Sequence, residues 1–531
     1  MTMRDTKGNS MELKKDDTVR IEDVSNGESY GPIDDSIEQT ECGKMTWVIC
    51  IAVSIGGFLF GYDTGVISAV LVTINEDLGQ KLSSSQQELV TSLTSGGAFV
   101  GAMIAGCTAD KYGRKSGMYF GSVLFTIGTI IMAASYSLEQ MCVGRFVVGL
   151  GVGSAAMIIP LYIGELAPSR YRGRMIAFDN MCVTFGQLIS YSFGAGFTDV
   201  AHGWRYMVAI GGVPAILLGC IMPWCPESPR QLVSHGKFEQ AEAVIKRVFP
   251  KATDKQVKDK IQLILNSVHE VTAALEDKSI WWQLRQLFCV PANFRPLLST
   301  CVVGAVSQLG GFNTLMYYSG TIFGLVGFNK PTVVSIVVGA TNFTFSLFCV
   351  SILDRFGRRK TVCVSALGMS ISLVVAAVAF HYIPVSKDLK IETQEVGWPG
   401  YLVLTTIIIY IGFFASGVAT ITWVGTELLP VEVRALGTMT NTGVVWGTNI
   451  IIASTFLSMM KGITPSGAFG FYSGICFFGW LFMLFGYPDV TGLPLETVRE
   501  VYTHGFGVKY AEKLQKERKQ LRKTGMVLAE A

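Results

Sequence analysis

Twelve stretches of mostly apolar residues, joined by short polar connections, set the solvent in which this chain folds. They fall at roughly 45–70, 86–109, 116–136, 139–164, 173–197 and 205–225, then 296–322, 331–353, 361–382, 399–429, 436–459 and 467–487. About 20 apolar residues are what a helix needs to cross the hydrocarbon core of a bilayer. In lipid only helices and closed barrels satisfy their own backbone groups. Of the 531 residues half are apolar and 16% charged, too few charges to wet the surface of a soluble protein of this size. The 58 glycines suit helices that approach closely where lipid gives no hydrophobic drive. The expected fold is an all-α membrane protein of twelve transmembrane helices in two six-helix bundles.

The division follows the composition. Residues 1–44 are polar and serine-rich and read as a disordered tail, with no cleavable signal peptide. A bundle at 45–225, a charged linker at 226–295, a second bundle at 296–487 and a tail at 488–531 complete the expected domains. Within the linker, Ala241, Val244, Val248, Val257, Ile261 and Leu265 recur at helical spacing and predict short amphipathic helices. Lys111, Arg114 and Lys115, then Arg170, Arg172 and Arg174, then Arg355, Arg358, Arg359 and Lys360 crowd the loops of one side. Loops of the other side carry only the scattered Lys81, Lys330, Lys387, Lys390 and Lys461, so both termini and the linker are expected in the cytoplasm. The twelve cysteines lie mostly in apolar stretches and read as reduced packing residues. None of the five histidines falls mid-span, which argues against a buried metal site, and no cofactor is expected. The sequon at Asn342 lies within an apolar stretch, out of reach of glycosylation.

The two halves carry the same signals in the same places. Asp110-Lys111-Tyr112-Gly113-Arg114-Lys115 after the second stretch is echoed by Asp354-Arg355-Phe356-Gly357-Arg358-Arg359 after the eighth. Glu165-Leu166-Ala167-Pro168 with Arg172 is echoed by Glu427-Leu428-Leu429-Pro430 with Arg434, at the same separation. Matched motifs in a six-plus-six chain indicate a duplicated transporter architecture. Glycine at 113 and 357 permits a tight turn, and the acids and arginines beside it can pair across helix ends as a cytoplasmic latch. The plainer alternative is a set of solvated charges, each contributing under about 1 kcal/mol.

Polar side chains on the spans are the candidates for a solute site, since hydrocarbon tolerates them only when satisfied. They are Asn180 and Gln187 on the fifth, Gln308, Asn313 and Tyr317 on the seventh, Asn342 on the eighth, Trp423 on the tenth and Trp446 on the eleventh. The spacing of Gln308, Asn313 and Tyr317 predicts one shared helical face. Amides beside flat indoles suit a polyhydroxylated ring, although a single amide by itself more often joins two helices. Asp63 is the one acid of the first stretch between Met45 and Val70. Either it faces a polar cavity or a partner, or it sits near the helix end and snorkels to water. Asp179, near the start of the fifth stretch, is expected at the interface. Gly149-x-Gly151-x-Gly153 looks like a nucleotide loop but lies within a span and reads as helix packing.

Over about residues 45 to 500 the chain resembles the sugar porter family of the major facilitator superfamily. Gly61-Tyr62-Asp63-Thr64-Gly65, Gly106 to Lys115, Gly144-Arg145-Phe146, Pro226-Glu227-Ser228-Pro229-Arg230, Gln308 to Asn313 and Pro488 to Glu496 carry the resemblance. Val350 stands where the second-half loop would match Gly106, Ser307 replaces a glutamine of many relatives, and Pro488-Asp489-Val490-Thr491-Gly492 departs from the usual motif. The resemblance implies that Asp63 is the proton-coupling acid, that Arg145 is its partner, and that the amides and tryptophans occupy or border the solute positions. It also brings Glu227 and Arg230 into the gate set. Burial favours the protonated acid and the cation the carboxylate, so a small movement of Arg145 would load or release a proton.

Trp423 four residues before Glu427, with the stretches Trp423 to Pro430, Ile452 to Leu457, Ile463 to Gly467 and Gly311 to Tyr318, looks like fungal myo-inositol transporters. The expected activity is therefore proton-coupled polyol uptake, myo-inositol first, with a hexose or pentose symporter as runner-up. A transporter-like nutrient sensor is disfavoured by the short basic tail, and an enzyme is not expected. The expected partners are a small polyhydroxylated solute, a proton and the lipid bilayer, not nucleic acid.

Overall fold

The computed structural model describes residues 36–40, 42–275, 278–386, 389, 396–424, 428–429, 431–490 and 495–523. Among them nine helices are long and apolar enough to cross a membrane. The longest, Val431–Gly486, breaks at Thr464, whose φ of 69° starts a second span with Pro465 in its first turn. The bent seventh span and the fifth, Ser169–Phe197, which carries too many polar groups to be recognised by hydropathy, complete the twelve. The chain is a multi-pass membrane protein.

In order, the spans are Lys44–Thr73, Ser84–Tyr112, Arg114–Ala133, Leu138–Leu166, Ser169–Phe197, Gly203–Ile221, Pro291–Leu309 with Phe312–Val326, Pro331–Phe356, Arg358–His381, Trp398–Ser416 with Val418–Val424, and the two parts of Val431–Gly486. Local chemistry sets their ends. Ser83 and Gln86 form a reciprocal capping box at the start of the second span. Gly113, at φ 93°, ends that span and starts the third, and Gly357, at φ 82°, does the same between the eighth and ninth. Asp77 ties the loop after the first span to the sixth. Burial works against its charge, but hydrogen bonds from the His202 ring and the Trp204 indole, each 2.7 Å, hold its carboxyl below the usual carboxylate range.

Small residues set the spacing of the helices. The first and fifth spans touch backbone to backbone: a Cβ at Gly61 would lie 1.8 Å from the Val183 carbonyl oxygen, and one at Gly186 would lie 2.2 Å from that of Phe58. The glycines at 149, 151 and 153 pack the fourth span against Thr94 and Gly97, against Gly121, and against Ala98, so they are packing residues as their position in a span indicates. Within the first half the second and third spans pack on the fourth, and the first on the fifth and sixth. The halves meet where the second span packs on the eleventh, the fifth on the eighth, and the first on Phe312–Val326.

The linker forms Pro229–Ser234, Phe238–Val248, Asp254–Leu275 and Ile280–Cys289, with Ala241, Val244, Val248 and Val257 buried as their spacing predicts. Residues 1–35 lie outside the described residues, but the end of the expected tail is built into the fold. Ser36–Gln39 makes a turn with Ile37 fully buried, and Glu38 pairs with Lys260 at 2.7 Å while accepting from the Ser169 N–H at 2.7 Å. One apolar side chain and one acid placed to cap the fifth span are enough to anchor a segment whose average composition is that of a loop. After the twelfth span, Leu495–Thr503 and Val508–Lys523 are helical.

Candidate functional site: a buried ion pair beside an amide cluster

Asp63 sits mid-way along the first span and Arg145 in the fourth, 5% and 2% exposed. Arg145 Nη1 donates to Asp63 Oδ1 at 2.8 Å and Nε to the Val90 carbonyl at 3.1 Å, so the second span holds the guanidinium in place. The snorkelling alternative for Asp63 is excluded by this burial and pairing. A buried ion pair is poor value as a stabiliser, because desolvation offsets most of the attraction. A charged pair so deep in a span marks a candidate functional site.

The second span links this pair to the amide cluster, since Thr94 Oγ1 donates to the Arg145 carbonyl at 3.2 Å and its neighbour Ser95 reaches Asn449. Gln308 Oε1 accepts from Asn313 Nδ2 at 2.6 Å and from Asn449 Nδ2 at 2.9 Å. Asn449 Oδ1 accepts from Tyr317 at 3.2 Å and, across the two halves, from Ser95 at 2.8 Å. Gln308, Asn313 and Tyr317 do not share a continuous helix as predicted. The seventh span breaks at Gly310 and Gly311, the latter at φ 89°, and the break swings Asn313 back onto Gln308. Trp446 is buried, with Phe60 of the first span 5.7 Å away and its Nε1 without a hydrogen-bond partner. Gln187 and Asn342 pair with each other at 2.6 Å, joining the fifth and eighth spans, and Asn180 is half-buried on the same fifth span. The side chain of Trp423 lies outside the described residues.

Asn449 was not among the residues singled out from the sequence. It stands three residues after Trp446, on the same helical face, and is the hub of the cluster. Asn449→Ala leaves the partners of two bonds unpaired, which at about 1 to 3 kcal/mol predicts a KM for the solute raised roughly five- to 150-fold with expression retained. Uptake kinetics on surface-expressed protein check this.

On the linker side Arg114 gathers four elements. Its Nη2 binds Asp110 at 2.8 Å and Glu165 at 2.9 Å, Nη1 donates to Gln231, and its backbone N–H donates to Glu227 at 3.0 Å. Ser228 Oγ donates to the other oxygen of Glu165 at 2.5 Å. These bonds tie the second, third and fourth spans and Pro229–Ser234 into one body within the first half. Glu165 is thus bound to Arg114 rather than to Arg172; Arg172 and Arg230 are exposed and line a cavity of about 230 Å³ with Glu165, Glu38 and Lys260. The repeat extends further than the motifs indicate: a Cβ at Gly113 would strike Glu227 at 2.4 Å, and one at Gly357 would press on Asp489 at 3.1 Å. Each turn glycine therefore faces the acid that follows the last span of its half. In the second half Arg358 opens the ninth span, Arg359 pairs with Glu512 of the tail helix, and Arg434 Nε donates to the Leu429 carbonyl at 3.1 Å. Glu427 and the side chain of Asp354 lie outside the described residues.

The opposite side is closed by bonds the sequence did not announce. Ser68 Oγ lies 2.8 Å from Ser319 Oγ and accepts from the Gly320 N–H at 2.9 Å. Buried Glu88 of the second span accepts from the Ser458 N–H at 2.7 Å and its hydroxyl at 2.6 Å on the eleventh. All of these bonds join the two halves. Glu88→Ala removes two charge-assisted bonds of about 1.5 to 3 kcal/mol each, enough to shift an open–closed equilibrium at least tenfold toward opening on this side. The check is the rate at which a membrane-impermeant maleimide labels Val72→Cys, expected to rise at least tenfold.

Known proteins resemble this chain in sequence and in fold. The profile described as "Sugar (and other) transporter" matches residues 49–502. The chain is 42% identical over 479 residues to myo-inositol transporter 1 of Cryptococcus neoformans, covering 90% of this chain and 84% of that one. It is 41% identical to myo-inositol transporter 1 of Candida albicans, over 91% of this chain and 88% of that one. Among solved structures it is similar to the E. coli xylose transporter in a partially occluded inward-open conformation, with a TM-score of 0.69, 26% identity, and 85% of this chain and 99% of that chain covered. Twelve spans in two repeated halves, the match across their whole length and these relatives together place the chain in the sugar transporter family of the major facilitator superfamily.

Proposed function

We propose that the protein is a proton-coupled symporter for a cyclic polyol, myo-inositol first, working by alternating access. The single observation that carries the reading is the buried Asp63–Arg145 pair, joined to the amide cluster through Thr94 and Ser95 of the second span. Relatives named myo-inositol transporters, at 42% and 41% identity, support the choice of solute. An inositol ring presents hydroxyls on its rim, which suit Gln308, Asn313, Asn449 and the free Trp446 Nε1, and apolar faces, which suit the indole itself.

The halves at 45–225 and 296–487 act as two bodies around this centre. The Arg114 network moves as one piece, and the Ser68, Ser319, Glu88 and Ser458 contacts part when the far side opens. The basic loops put the linker side in the cytoplasm and the far side outside, in the plasma membrane. Protonating Asp63 weakens its hold on Arg145, which frees the second and fourth spans to shift and links proton entry to solute entry.

Uptake of radiolabelled myo-inositol into vesicles holding the purified protein, under an imposed inward proton gradient, tests the reading. Accumulation above the external concentration, abolished by a protonophore and competed better by unlabelled myo-inositol than by glucose or xylose, is the expected result. A hexose or pentose symporter is the better description if either sugar competes more strongly. Equilibration without accumulation makes the protein a passive carrier, and absence of any uptake favours a sensor.

A further inference from the structure

Asp179 was expected at the membrane interface, and the structure places it in the interior of the first half. It is 7% exposed on the fifth span and is packed against Gly57 of the first, so closely that a Cβ there would meet its Oδ1 at 2.6 Å. That oxygen makes no hydrogen bond of ordinary geometry, and neither does the Ser54 hydroxyl beside it. The titratable groups facing it are thiols, Cys50 from the first span and Cys182 from its own. An ionised carboxylate with such neighbours has no counter-charge, so these surroundings accommodate the neutral acid.

The first span is built to meet this acid. It is interrupted at Ser54, between Lys44–Val53 and Ile55–Thr73, at the level of Asp179. From there Ser54, Cys50 and Thr46 follow at intervals of four, on one helical face, 0%, 3% and 1% exposed, down to the first turn of the span. Thr46 Oγ1, like Ser54 Oγ, has no hydrogen-bond partner in the protein. A cavity of about 10 Å³, near the size of one water molecule, opens among Thr46, Cys50, Tyr162 and Met175. Three unsatisfied buried oxygens follow one another along this one line, where buried polar groups are ordinarily paired, and that needs an explanation.

We propose that Asp179, Ser54 and Thr46 form the route by which the coupled proton leaves toward the linker side. The proposal rests on the symport reading. Gly57 lies six residues before Asp63, about 9 Å along the helix axis, so Asp179 is the next acid on that side. Asp63 gives up its proton as Arg145 re-pairs with it, and the proton crosses through pathway water to the Asp179 carboxylate, forming the neutral acid that its surroundings accommodate. Asp179 then releases it to the water and hydroxyl ladder, in which each oxygen accepts one proton and passes on another. No electron moves and no other reactant is consumed.

The test compares wild type, Asp63→Asn, Asp179→Asn, Asp179→Glu and Ser54→Ala in vesicles, with gradient-driven uptake and solute counterflow measured while the internal pH is varied. Asp179→Asn is expected to slow gradient-driven uptake at least tenfold with KM and counterflow retained, and to lose the slowing by internal acid that wild type shows. Asp179→Glu restores most of the rate, and Ser54→Ala, a smaller change on the same ladder, shows part of the loss. Wild-type uptake and internal-pH dependence in Asp179→Asn, while Asp63→Asn cannot accumulate, overturns the exit route and leaves symport standing. Accumulation by Asp63→Asn overturns symport itself. Loss of counterflow in Asp179→Asn marks a structural role and also overturns the proposal. If that variant does not fold, an indifferent Ser54→Ala has the same force.

Discussion

Asp63→Asn is expected to abolish uphill accumulation of the solute while solute-for-solute exchange continues. The amide oxygen keeps one acceptor 2.8 Å from Arg145 Nη1, so the first, second and fourth spans stay in register. What disappears is the ability to take up and release a proton. A membrane potential of about 100 mV contributes roughly 2.3 kcal/mol per charge, about a fiftyfold concentration ratio before any pH gradient is added. That ratio should fall to one in the variant. The measurement is steady-state labelled solute inside vesicles under a set potential and pH gradient, with counterflow recorded in parallel. Accumulation that survives the substitution removes Asp63 from the coupling step and makes Arg145 a packing residue.

Gly61→Ala has the largest expected effect on the folded protein. The new Cβ would stand 1.8 Å from the Val183 carbonyl oxygen and 3.1 Å from the Gln187 backbone nitrogen. Neither atom belongs to a flexible side chain, so the first and fifth spans must separate or slide. Overpacking of this kind costs about 1 to 3 kcal/mol, and Gly61→Val should cost more. The displacement also falls two residues from Asp63 and directly against the span that carries Gln187, which bridges to Asn342 at 2.6 Å. Purified variants are therefore expected to melt several degrees lower and to lose uptake out of proportion to their loss of folded protein. Thermal unfolding in detergent and uptake per folded molecule measure the two effects separately. A variant with wild-type melting and uptake would show that the two helices are held apart more loosely than this contact indicates.

Much of this is legible in the sequence alone. Apolar length marks the spans, because lipid leaves the backbone no other arrangement, and the duplicated loop motifs mark the two halves. The Asp63–Arg145 pairing follows from the resemblance, and the burial of both groups agrees with it. The rest depended on which way a side chain faces once helices pack. Asn449 looked like any single amide in a span, and only the packing of the seventh span on the eleventh brings Gln308 to it, while the break at Gly310 and Gly311 adds Asn313. Glu88 lies near the start of its span, where an acid ordinarily meets water, and nothing in its neighbours along the chain names Ser458 as its partner. Asp179 misled for the same reason, since position along a helix does not reveal that the neighbouring helix is a glycine-lined groove at that level. The anchoring of Ser36–Gln39 hangs on Ile37 and Glu38, too few residues to stand out against a polar background.

The hydroxyl contacts between Ser68, Ser319 and Gly320 bear on how fast the two halves can separate. Bonds among neutral groups hold by only about 0.5 to 1.5 kcal/mol each, and a water molecule arriving at either oxygen replaces what is lost. Parting there proceeds as a succession of low steps, which leaves the stronger Glu88 bonds to Ser458 to set the pace at which this side comes apart.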